Sequence, residues 1–155
     1  WTEGWNGTAT NIYAKRRANG VGNRGIEADN NSNDNNANPR SNPTIKNATF
    51  IGGTTGEADA LKLRVGTYGT FDNLVLSNWT TGINVEHDAS VAYFNAGNKI
   101  TNVKFDTNVV NKASAKSSAG AAVTVLANTY TENASATGAG NGTGTPTWAT
   151  GWAGL

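Results

Sequence analysis

Asp29, Arg64 and Glu86 occupy the same place in three copies of one phrase. Gly25-Ile26-Glu27-Ala28-Asp29 returns as Ala60-Leu61-Lys62-Leu63-Arg64 and again as Gly82-Ile83-Asn84-Val85-Glu86. Each copy alternates apolar and polar residues, the period of a strand with one buried face. Stacked in register, the copies would hold the two carboxylates about 9–10 Å apart, two strand spacings of about 4.8 Å. An inverting glycosidase keeps its acid and base at a similar separation. Arg64 between them points the other way, because a cation beside two carboxylates favours their ionised forms. A general acid must keep its proton. Asp29, Arg64 and Glu86 are thus the catalytic candidates if the chain is an enzyme. As a cross-strand charge ladder, the expected reading, they contribute roughly a few tenths of a kcal/mol per pair.

A second cluster runs from Asp29 to Pro39, eleven residues rich in Asn and Asp. The oxygen-bearing side chains of Asp29, Asn31, Asn33 and Asp34 resemble the opening of a calcium loop. The glycine and the closing glutamate of such a loop are missing. A loop of Asx turns bonded to itself is therefore expected, and calcium is the one cofactor left open. His87-Asp88 carries the lone histidine. Without Cys or a second His it has no transition-metal shell, and no nucleophilic triad forms around it. A surface turn is expected there.

These residues must be positioned by a repeat. Thr44-Ile45-Lys46-Asn47-Ala48-Thr49-Phe50-Ile51 is rewritten at Thr70–Leu76 and at Lys99–Phe105, with a fainter copy at Ala9–Ala14. The shared Asn11, Asn47, Asn73 and Asn102 are spaced by 36, 26 and 29 residues. Recurrence at such periods marks stacked units. Asn tolerates the left-handed region that a bend within a coil requires, and stacked asparagines bond to one another. Asn47, which also begins a glycosylation sequon, is expected to be buried as a corner residue. Ile45, Phe71 and Ile100 should stack inside, as should Ala48, Leu74 and Val103, and Phe50, Leu76 and Phe105. The expected fold is all-β: a right-handed parallel β-helix of about four to five coils with an asparagine ladder.

Composition agrees with short strands and many turns. Charged residues are 15% of the 155, below the usual share of about 25%, and Gly, Asn and Thr replace them. A net charge of +1 gives no electrostatic case for nucleic acid, and no apolar run is long enough to span a membrane. Residues 1–128 are expected to form the coils and 129–155 an extended segment. Its Trp148 and Trp152 are expected to cap an open helix end. At the other end, the abrupt start of the pattern leads us to expect further coils of the same protein, or another chain, before Trp1. Residues 107–120 and 131–147 lose the repeat phrase. Ala122–Leu126 reads as the last strand.

Gly25–Asp34, Asn42–Gly53, Leu61–Gly69 and the closing Trp148–Trp152 resemble the C-terminal part of a group of secreted, uncharacterised right-handed parallel β-helix proteins of the Bacteroidetes cell surface. The resemblance covers nearly the whole chain. It implies an extracellular or outer-surface location and supplies no catalytic residues. The expected function is a non-enzymatic structural or adhesive domain, presenting a polar face to glycans, surface proteins or copies of itself. A polysaccharide lyase or glycoside hydrolase is the alternative. An ice- or surface-binding solenoid ranks last, because Thr does not recur at one position in every coil.

Overall fold

The computed structural model describes residues 1–17, 22–53 and 59–153. Among them run β1 (Thr8–Lys15), β2 (Arg24–Ala28), β3 (Thr44–Ile51), β4 (Asp59–Leu63), β5 (Thr70–Ser77) and β6 (Thr81–Glu86). Then come α1 (Asp88–Asn95), β7 (Ile100–Phe105), β8 (Asn111–Lys116), β9 (Ala122–Val123) and β10 (Tyr130–Glu132). One sheet has the order β1-β3-β5-β7-β10 and the other β2-β4-β6-β8-β9. From β1 to β8 the chain therefore alternates between two sheets, each new strand laid parallel on the preceding strand of its sheet.

The expected internal stacks are present. Ile45 faces Phe71 and Phe71 faces Ile100; Ala48, Leu74 and Val103 form a second file, and Phe50, Leu76 and Phe105 a third. In the other sheet Ile26, Leu61 and Ile83 align, as do Ala28, Leu63 and Val85. Trp79 joins this core and donates its indole N–H to Phe50 O at 2.9 Å.

All four corner asparagines have φ between 55° and 57°, the left-handed region that costs other L-residues about 1–2 kcal/mol. Asn47 donates to Asn11 Oδ1 at 3.2 Å, and Asn73 to Asn47 Oδ1 at 2.9 Å. The ladder then breaks. Asn102 lies in register beyond Asn73, yet its amide donates to Asp72 Oδ1 at 2.7 Å. It resumes with Asn133, which donates to Asn102 Oδ1 at 3.3 Å. Asn47 itself is half-buried rather than buried, because its amide lies along the outer corner. A second pair, Asn78 and Asn108, repeats the device at another bend: both have positive φ, and Asn108 donates to Asn78 Oδ1 at 3.1 Å.

At the break Asp72 replaces Asn73 as the acceptor for Asn102, and its ionisation is tied to that bond. Bonds from Thr101 and Asn102 hold its carboxyl below the ordinary 3.8, against the upward push of burial. A carboxyl depressed on folding stabilises above its unfolded value and loses that contribution as pH falls through the folded one. We expect wild-type protein to lose stability relative to Asp72→Asn below about pH 4. Melting curves of the two proteins from neutral to acid pH check this; parallel curves would dissociate Asp72 from the ladder.

Four features depart from the sequence reading. Residues 111–116 form a full strand, with Ala113 and Ala115 facing Ile83 and Val85. The last strand expected at Ala122–Leu126 is two residues long and antiparallel to β8, so it reverses the winding instead of extending it. His87-Asp88, read as a surface turn, leads into a helix, Asp88–Asn95, that buries Val91 and Phe94. Stacking continues past residue 128, since β10 pairs with β7.

After β10 the chain folds back over the outside of the first sheet. Thr137 and Gly138 N–H groups donate to Asn73 Oδ1 at 3.0 and 3.1 Å. Ala139 N–H donates to Thr49 Oγ1 at 3.0 Å, and Thr49 Oγ1 donates to Gly142 O at 2.9 Å. This strap fills the gap in the ladder and covers Val75, an outward residue that is fully buried. Gly138 is required here, because its φ is +57° and a Cβ would lie 2.3 Å from Thr49 Oγ1. The expected tryptophan cap is corrected accordingly. Trp148 and Trp152 pack on each other at 6.4 Å and remain 40% and 73% exposed. Their indoles bond within the strap, to Ala139 O and Trp148 O.

Candidate functional site

Outward residues of β2, β4, β6 and β8 build a charged face on the second sheet. Glu27, Lys62, Asn84 and Ser114 form one column by register. Asp29, Arg64, Glu86 and Lys116 lie beside it, at or just beyond the strand ends. Arg24 faces Asp59, which faces Thr81.

The three sequence candidates share this face but not one ion network. Arg64 Nε bonds Asp29 Oδ1 at 2.8 Å, and its Nη2 reaches Glu27 Oε1 at 2.6 Å. Glu86 turns away from Arg64 and accepts from Lys62 Nζ. The expected ladder is therefore diagonal: the long Lys62 side chain reaches the carboxylate two residues along the next strand.

Asp59 anchors the other half. It lies 3.2 Å from Arg24 Nε and 3.8 Å from Lys62 Nζ, and accepts from Asn84 Nδ2 at 3.2 Å. Asn84 Nδ2 is also 3.4 Å from Glu86 Oε1. These residues, with Thr81, Asn111, Ser114 and Lys116, line a cleft of about 310 Å³. Burial pushes the Glu86 carboxyl up. The bond and charge of Lys62, the charge of Lys116 and the Asn84 bond outweigh it and hold the group below its ordinary value. Desolvation opposes the Arg64 charge, and Asp29, Glu27 and Glu86 outweigh that, so its pKa is raised.

Sequence reasoning had placed Lys62 and Asn84 on this face but missed Arg24, Asp59 and Lys116. Their signal was available, because extending the phrase alignment by one residue sets Arg24 against Asp59. Lys116 was lost with β8, whose strand lacks the large apolar residues of the other copies.

In the polar loop, Asn31 Oδ1 accepts from the N–H groups of Asn33 and Asp34 at 2.9 and 3.1 Å. Asp34 Oδ1 accepts from Asn36 N–H at 2.9 Å. Asp29 is engaged by Arg64. Asn30 holds the loop from inside, donating to Asn35 O and Ala37 O and accepting from Ser41 N–H. The calcium candidates thus spend these oxygens on Asx turns and an ion pair. Among the described residues no three His, Cys, Asp or Glu side chains gather as a metal site. His87 has φ 73° and accepts the Val65 N–H on Nδ1 at 3.1 Å. It ties two coil bends together, and Val65 is itself held at φ 54°.

Residues 1–153 match the family described as pectate-lyase like beta helix domain. The chain belongs to this family. No curated protein and no solved structure shows a significant match. Membership of the pectate-lyase-like family agrees with the two parallel sheets and the wound connection between them. A shared fold assigns no activity, so the site of this pectate-lyase-like domain must be judged on its own residues.

Proposed function

We propose that this pectate-lyase-like β-helix domain is a non-catalytic structural and adhesive module of the cell exterior. It presents the outer face of its second sheet to glycans or surface proteins. One observation carries this reading: Asp29, Asp59 and Glu86 each contact a cation, and Glu86, the best-placed carboxyl, is held ionised. A hydrolase needs a general acid that keeps its proton at the working pH, the opposite of what Lys62 does to Glu86. The same reading includes right-handed winding in four to five coils. It also includes a stacking partner, further coils or another chain, on the free edge of β1.

The test is turnover of a panel of acidic and neutral polysaccharides, polygalacturonate among them, by the full chain. We expect no new reducing ends and no unsaturated products. Cleavage that Asp29→Asn or Glu86→Gln abolishes would replace this proposal with the enzyme reading.

A further inference from the structure

The cluster between β4 and β6 has the makings of a covalent cross-link. We propose that Lys62 and Asn84 form an intramolecular isopeptide bond, with Glu86 and Asp59 carrying the protons.

Lys62 and Asn84 are register partners on adjacent strands. Both side chains belong to an outward column, where a lysine ordinarily keeps its ammonium in water, yet each residue is only 8% exposed. The amine and the amide share the same two carboxylate oxygens. Glu86 Oε1 accepts from Lys62 Nζ and lies 3.4 Å from Asn84 Nδ2. Asp59 Oδ2 lies 3.8 Å from Lys62 Nζ and 3.2 Å from Asn84 Nδ2. Asn84 Oδ1 is buried with no hydrogen-bond partner, so the amide is only half satisfied. A packed structural amide rarely leaves a buried oxygen unpaired.

The chemistry follows from those contacts. Lys62 passes a proton to Glu86, and its neutral nitrogen attacks Asn84 Cγ. The bond from Cγ to Nδ2 breaks. The departing nitrogen collects the protons that Lys62 gives up, relayed by the carboxylate that touches both atoms. In sum, one ammonium and one primary amide become one secondary amide and one ammonium ion. No oxidant, water or other co-reactant is consumed, and both carboxylates end as they began. Arg24 and Lys116 remain beside Asp59 and Glu86 as counter-charges. The product joins β4 to β6, so two successive turns can no longer separate when the module is pulled.

The test is the intact mass of the folded full chain, followed by peptide mapping. We expect a mass lower than the sequence mass by one ammonia, and a branched peptide joining the segments around residues 62 and 84. Lys62→Met and Glu86→Gln, each shown to fold by a cooperative melt, should retain the full mass. A folded wild-type chain at the full sequence mass overturns the proposal. So does ammonia loss without the branched peptide, the pattern of succinimide formation at Asn6-Gly7 or Asn141-Gly142. A branched peptide in Glu86→Gln at wild-type yield would overturn the proton relay.

Discussion

Asn73→Ala should destabilise the protein by at least about 3 kcal/mol, well above the cost of the same change at Asn11. The alanine would have to hold a φ of 56°, a penalty of about 1–2 kcal/mol. It would also lose four bonds, to Asn47 Oδ1, Gly138 O, Thr137 N and Gly138 N, each with a net value of about 0.5–1.5 kcal/mol. Asn11 accepts one ladder bond, from Asn47, and should cost about 2 kcal/mol. Asn73→Gly separates the contributions, because it removes the bonds but tolerates the backbone. It should recover about 1–2 kcal/mol relative to alanine. Both variants should release the strap, read as faster proteolysis within residues 133–149. Denaturant midpoints for the three variants check the order; equal losses at positions 11 and 73 would show that the strap adds nothing to the ladder.

Phe71→Ala should be at least as damaging, at about 3–5 kcal/mol. Phe71 is fully buried and sits in file between Ile45 and Ile100. Its ring also meets Trp1 at 6.0 Å and Phe94 at 6.2 Å. It thereby joins three parts of the chain: the N-terminal segment, the helix and the first sheet. No single neighbour can collapse into the space it leaves, and the cost of a core truncation rises with the cavity that remains. Val110→Ala, on an exposed side chain, is the control and should stay within about 0.5 kcal/mol of wild type. Urea unfolding followed by far-ultraviolet circular dichroism measures both. A Phe71→Ala loss no greater than the control's would mean that the internal files do not hold the coils together.

The ladder and the charged face differ in how far they could be read from the chain. The phrase around Asn47, Asn73 and Asn102 has one residue type that suits its backbone and a fixed offset to apolar neighbours. Its place at a bend and the order of the stacks followed from local requirements alone. Glu86 shows the opposite case. Its column was correct, but its partner is Lys62 and not Arg64, because long flexible side chains choose among neighbours by reach. Spacing along the chain does not encode that choice. Asn133 was missed for a related reason: β10, which it follows, is three residues long and shifts register against β7, so no repeated phrase announces it.

What the sequence settled by itself was the stacking of β3, β5 and β7 and of β2, β4 and β6, with their register and the residues that point inward. Those properties are periodic, and a period is visible in one dimension. Tertiary structure alone decided the break at Asn73, the strap that fills it and the pairing of charges on the second sheet. These depend on segments distant in the chain meeting at hydrogen-bond distance, as when Gly138 reaches Asn73 or Asp59 reaches Asn84. Such contacts are set by the packed geometry of the whole fold, which no local pattern contains.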